Sequence, residues 1–191
     1  MRGNSVRINS GKGSQVTGLN KGPSKVQVAL KWDPSPLGQP AHDLDIIAGT
    51  YTAADPYGEP AYLVHFDRRS PDGTITLNRD SQTGQGLGAD EVMTLELERL
   101  SPSYTRVVVG VAIQQGGGPK TFSDVANCSF RIADGITELV NSGFVGALGA
   151  KAATVAEFIR NDSGEWQFHE GIRGFDADPD EFGGLMGRAY S

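Results

Sequence analysis

Two acidic segments hold the residues best suited to chemistry. One is HDLDII, where Asp43 and Asp45 stand two apart at the entrance to an apolar run. The other is NRDSQTGQGLGADE, Asn78 to Glu91, in which Gly84, Gly86 and Gly88 lie between Asp80 and the adjacent Asp90 and Glu91. Neighbouring unpaired carboxylates repel one another, and a divalent cation removes that cost. Calcium takes about six to eight oxygens, from carboxylates, backbone carbonyls and amide side chains on a loop able to curl around it. The second segment offers all three, and glycine lets its backbone come close to an ion. Residues i and i+2 share a face of a strand, so Asp43 and Asp45 can both turn toward one ion.

Other readings of the glycine-rich loop compete with this one. GQGLGA, from Gly84 to Ala89, satisfies the loose G-x-G-x-x-G/A pattern of dinucleotide-binding turns. Its context argues against phosphate, since a period-two strand follows instead of a helix, and Asp80, Asp90 and Glu91 would repel the anion. Asp80 to Glu91 spans twelve residues, as an EF-hand loop does, but Gln82, Gly84 and Gln85 occupy its third, fifth and sixth places and strands flank it. The remaining alternative is a plain turn beside a solvated Asp-x-Asp edge. Composition alone leaves turn and cation loop level, because it does not place the two segments together.

Catalytic residues are scarce. His42 stands beside the aspartates, His65 lies within a strand and His169 ends EWQFH, with no nucleophile or second ligand at a supporting spacing. A metal-dependent hydrolase, with water activated by the ion and His42 as base, is the alternative to a non-catalytic binding module. The lone Cys128 forms no internal disulfide and reads as a small buried hydrophobe at a strand start. The expectation is therefore a protein that is not an enzyme, in a reducing, cytoplasmic compartment.

The elements that must position these residues are β-strands. With 26 glycines and 10 prolines in 191 residues, turns and short elements are favoured over long helices. A net charge of −6 lacks the basic footprint of a nucleic-acid binder, and no segment has the roughly 18 apolar residues of a membrane span. SVRIN and QVTGL read as two short strands, followed by KVQVALKW, whose Val26, Val28 and Leu30 alternate with Gln27, Ala29 and Lys31. DLDIIAGTYTA, AYLVHF, TITL, VMTLELERL, TRVVVGVAIQ, CSFRIAD, ITELVNSGF and EWQFH continue the series, as expected of a mainly β protein, a β-sandwich of two antiparallel sheets with one or two short helices. GAKAATVAEFIR, rich in alanine and with Val155, Phe158 and Ile159 on one helical face, is expected as a helix. Residues 1–175 form the expected domain and 176–191 an acidic, then glycine-rich, loosely held tail.

In this order and over most of the chain, VQVALKWD, HDLDI, SPDGTI, RDSQTGQGLGADE, FSDV, CSFRI and GEWQFHEGIRGF resemble the TerD domain of bacterial tellurium-resistance and stress-response proteins. The resemblance implies a calcium-binding β-sandwich with Ca2+ held at one end of the sheets. It implies a ligand set of the carboxylates of Asp43, Asp45, Asp80, Asp90 and Glu91, with oxygens of Gln82, Thr83 and Gly84 from the loop between. Ser81, Leu87 and Ala89 stand where that loop usually carries an asparagine and two acidic residues, and HFDRR replaces the paired asparagines before SPDG. Fewer ions or weaker binding are expected from those departures. Implied partners are other tellurium-resistance and stress-response proteins, including a membrane-associated complex, or a second copy in a homo-oligomer.

Overall fold

A computed structural model describes residues 22–189, which form two five-stranded sheets, every neighbouring pair antiparallel. The first runs β4 (Ile75–Arg79), β5 (Glu91–Glu96), β1 (Lys25–Lys31), β7 (Ser129–Asp134), β8 (Thr137–Gly143). The second runs β10 (Trp166–Phe175), β9 (Ala152–Arg160), β6 (Tyr104–Ile113), β2 (Leu44–Thr52), β3 (Tyr62–Val64). The expected strands SVRIN and QVTGL lie outside the described residues. In β1, Val26, Val28 and Leu30 are fully buried while Lys25, Gln27 and Lys31 are exposed. The core between the sheets joins them to Ile46 and Ala48 of β2, Met93 and Leu95 of β5, and Val107, Val109 and Val111 of β6. The sandwich read from the sequence is the observed architecture.

The second sheet is buried on both faces at its centre, which explains the unbroken apolar runs of β2 and β6. Its outer face is covered by the C-terminal segment. A short helix, α1 (Pro179–Leu185), with Pro179 in its first turn, sets Phe182 against that sheet, and Ala177 and Met186 join Ile47, Tyr51, Val108 and Ala112 in a second cluster. Gly110 of β6 permits this approach, since a Cβ there would lie 2.5 Å from the Phe182 ring. The segment expected as a loose tail is thus packed through 187. A sheet apolar on both faces must be covered on both.

The expected helix over GAKAATVAEFIR is strand β9. Its pairing with β6 shifts register between Val109 and Gly110, leaving Val155 over, so that Val155 and Ala156 both face the core. This bulge breaks the period of two and leaves apolar residues at the three- and four-residue spacings of a helix. Among the described residues no helix is long and apolar enough to cross a membrane.

Candidate metal centre

The centre forms where β1 ends, β2 begins and the glycine-rich loop leads from β4 to β5. Trp32, directly after β1 and 1% exposed, ties these segments together. Its indole Nε1–H donates to the His42 carbonyl at 3.0 Å and its backbone N–H to Asp90 Oδ2 at 3.0 Å. The Asp90 N–H donates to the Leu30 carbonyl at 2.8 Å, fixing the end of the loop to β1. Gly84 lies on the indole with φ +65°, and a Cβ there would come within 2.6 Å of Nε1. Glycine is therefore needed both for its backbone angle and for the contact. Gly86 and Gly88 also have positive φ, so the loop's glycines make the turns that return the chain to β5.

Carboxylate oxygens of Asp45, Asp80 and Glu91 lie within 4.8 Å of one another. Asp45 comes from β2, Asp80 follows β4 and Glu91 opens β5, so both sheets contribute. Glu91 is fully buried; its Oε2 accepts from the Ile46 N–H of the opposite sheet, and its Oε1 has no hydrogen-bond partner. Asp45 is 3% exposed and its Oδ2 accepts from Gln114 Nε2 at 2.5 Å. Gln114, just past β6, is itself placed by an N–H donated to the Asp43 carbonyl at 2.8 Å. Asp43 is half-buried beside the cluster, and its Oδ1 is also without a partner.

The local electrostatics disfavour four ionised groups. Burial first, then the charges of Asp45, Asp80 and Asp43, push the Glu91 carboxyl up to about 9 against the hydrogen bond from Ile46. Burial likewise raises Asp45 to about 7, with Asp43 and Asp80 adding to the rise and the Gln114 hydrogen bond opposing it. Asp43 is raised by burial and by Asp80, and Lys120 partly offsets this. Lys120 Nζ is held nearby by the Ala41 carbonyl at 2.8 Å. Converging carboxylate oxygens, with a buried Glu91 oxygen among them and an Asp43 oxygen beside them left without partners, fit a hard divalent cation, which prefers an all-oxygen shell.

Of the residues read from the sequence, Asp45, Asp80 and Glu91 come together, and Asp43 adds its charge alongside. Asp90 turns the other way, to the Trp32 N–H, as strand alternation requires of the residue preceding Glu91. Gln82 and Thr83 are exposed in the loop, and Gly84 is buried against Trp32. Sequence reasoning missed Trp32 and Gln114, although Trp32 ends the most regular alternation in the chain and marks where the strand meets the site. No histidine joins the cluster. His42 is buried, with its pKa lowered by burial and by Lys120; His65 lies beside Arg68; His169 is exposed on β10. Burial pushes the Cys128 thiol up to about 12, as expected of a packed, unreactive cysteine.

Comparison with known proteins places the chain. The TerD domain profile matches residues 5–182. The tellurium resistance protein TerD of Serratia marcescens is 25% identical over 179 residues, covering 89% of this chain and 92% of that protein. General stress protein 16U of Bacillus subtilis (strain 168) is 26% identical over 171 residues, covering 85% and 88%. A solved homologue of telluride resistance protein (TerD) from Streptomyces coelicolor A3(2) superposes with a TM-score of 0.86 at 58% identity, covering 88% of this chain and all of that one. With that family's profile spanning almost the whole sandwich, the chain belongs to the TerD domain family.

Proposed function

We propose that this chain is a calcium-binding, non-catalytic module of a bacterial tellurium-resistance and general stress-response system, working in the cytoplasm. The observation that carries this reading is the convergence of Asp45, Asp80 and Glu91 within 4.8 Å, with a buried Glu91 oxygen left unpartnered. A bound Ca2+ would supply the positive charge that the cluster lacks. Asp45 and Glu91 would hold it from the two sheets, Asp80 from the loop, and Asp43 would add charge and a free oxygen. Trp32 orients the loop from beneath, and Gln114 fixes the Asp45 carboxylate. The ordered loop then serves as a docking surface for other proteins of the system, including a membrane-associated complex. A non-catalytic role is supported by the placement of the histidines outside the cluster and the inert setting of Cys128.

The test is calcium titration by calorimetry combined with thermal melting of the native protein and of Asp45→Asn. Saturable binding with a raised melting temperature, both lost in the variant, is expected. A native melt that is the same in calcium and in chelator would sink the reading.

A further inference from the structure

The metal set leaves one charged feature unused. Between the edge strands β3 and β4 runs a groove of about 700 Å³, with Phe66, Arg68, Arg69, Leu77, Arg79 and Asp80 on its walls. A volume of this size suits a small organic ligand. Its walls set three guanidinium groups against the single carboxylate of Asp80. All three arginines are exposed, and their guanidinium groups have no hydrogen-bond or ion-pair partner among the described residues. Elsewhere among the described residues, the arginines are engaged: Arg99, Arg106, Arg131 and Arg188 in ion pairs, Arg160 and Arg173 on carbonyls. In a chain of net charge −6, three unengaged arginines in one groove are a local inversion of sign.

The groove is also pre-formed. His65 and Arg68 exchange backbone hydrogen bonds at 3.0 Å in both directions, a tight turn that presents Phe66 and Asp67 at its tip. Asp72 Oδ1 accepts from the Thr74 N–H and hydroxyl, and Ser70 Oγ from the Ile75 N–H, so the far wall is ordered too. The Phe66 ring is 52% exposed at the mouth. Guanidinium forks match the geometry of phosphate oxygens, and an exposed ring beside them offers a stacking surface for an aromatic or apolar group. Asp80 belongs both to the groove wall and to the carboxylate cluster, so a ligand seated on the arginines lies at the edge of the metal centre.

We infer that this groove binds a small organic phosphate of nucleotide size, its phosphate on Arg68, Arg69 and Arg79 and its ring or apolar part on Phe66 and Leu77. The part of the inference that concerns calcium rests on the function proposed above: with the ion in place the carboxylate charge is taken up, and binding of the phosphate tightens. Phosphate carried by a lipid headgroup presents the same chemistry, and the vesicle arm of the test separates the two sources.

The probe is ADP, titrated calorimetrically into the full chain in calcium and in chelator, with adenosine as control. Vesicles containing phosphatidic acid are tested in parallel by sedimentation. One saturable ADP site is expected, at least tenfold tighter in calcium, with no adenosine binding and no vesicle capture. Arg69→Gln with Arg79→Gln should weaken ADP at least tenfold, and both positions are exposed, so the fold is not at risk. Arg69→Gln alone should keep the calcium-induced rise in melting temperature. Absence of ADP binding, ADP binding unaltered in the double variant, or capture by vesicles without ADP binding each overturns the inference. A calcium-induced melting shift without ADP binding removes the groove and leaves the metal centre. ADP binding in chelator, lost in the double variant but indifferent to calcium, supports the groove and overturns its coupling to calcium, while the native melting shift alone decides the metal centre.

Discussion

Arg106 and Glu91 are both buried ionisable residues, and they are treated in opposite ways. Arg106, on the outer face of the second sheet, donates through Nε to Glu157 at 2.7 Å and through Nη1 to the carbonyls of Pro56 and Gly187 at 2.7 Å. Its guanidinium also lies over the rings of Tyr51 and Tyr57. Glu91 has one oxygen on the Ile46 N–H, another with no partner, and carboxylates for neighbours. Burying a charge is tolerated when it is paired and hydrogen-bonded, as Arg106 is. A buried group left without compensation calls for an explanation, and at Glu91 the ion proposed above supplies one. The first constellation closes the structure by holding the C-terminal segment to the sheet. The second leaves carboxylates uncompensated at one end of the sandwich.

The largest expected effect falls on the closed side. Arg106→Ala strips Glu157 and two carbonyls of their partner; breaking a buried pair costs about 3–5 kcal/mol. At roughly 2–4 °C per kcal/mol for a chain of this size, the melting temperature should fall by about 10 °C. Calorimetric melts in calcium and chelator should fall together, because Arg106 lies outside the carboxylate cluster. A fall confined to the calcium sample would mean that the two regions are coupled.

On the open side, calcium at about a hundred times its Kd should add roughly 2.7 kcal/mol of stability. That corresponds to a rise of about 5–10 °C, absent in Asp45→Asn and in Glu91→Gln. In chelator the sign reverses for those variants. Removing a buried carboxyl that resists ionisation should raise the melting temperature of the metal-free protein by a few degrees. Should either variant melt lower than the native chain in chelator, the carboxylates would be stabilising on their own, and the contrast with Arg106 would collapse.

A further effect concerns pH. Glu91 and Asp45 are raised to about 9 and about 7, above the ordinary carboxylate range that they have when unfolded. Between those ordinary values and the raised ones the folded state holds more protons, so stability falls as pH rises. The contribution is fully present below about pH 4 and is lost as pH climbs through about 7 and then about 9. Metal-free protein should therefore melt lower at pH 8.5 than at pH 6, and the difference should shrink in Asp45→Asn. Calcium binding, which needs the ionised carboxylates, should release protons and tighten over the same interval, measurable as a buffer-dependent heat.

These contrasts also separate what a sequence exposes from what it conceals. Alternation in KVQVALKW is local and fixes β1 directly. Asp90 and Glu91 look equivalent in a string of letters, yet successive strand residues face opposite ways, and one ends on Trp32 while the other enters the cluster. The Val155 bulge turned a strand pattern into a helical one, because a single extra residue converts spacing of two into spacing of three. The packed C-terminus was readable only indirectly. Unbroken apolar runs in β2 and β6 require a cover on the outer face, but nothing local to DADPDEFGG announces that it supplies one. Trp32 and Gln114 act through contacts 10 and 69 residues away in sequence, which periodicity does not register.

The smallest predicted effect tests whether the cluster is the whole centre. Leu87 is 96% exposed at the middle of the loop, while the converging carboxylates come from its two ends and from β2. A charge placed at position 87 would act through water, screened over about 8 Å at physiological salt. Leu87→Asp should therefore change calcium affinity by no more than about threefold, the worth of an exposed pair, and the change should fade at high salt. Ala89 is partly buried and next to Asp90, so Ala89→Asp should act more strongly, although it brings a further carboxylate close to one already engaged by Trp32. Titration calorimetry of both variants at two salt concentrations ranks them. Tenfold tighter binding by Leu87→Asp at physiological salt would require the middle of the loop to fold onto the ion, and the open side of the molecule would then close around calcium as fully as the Arg106 side closes on its own partners.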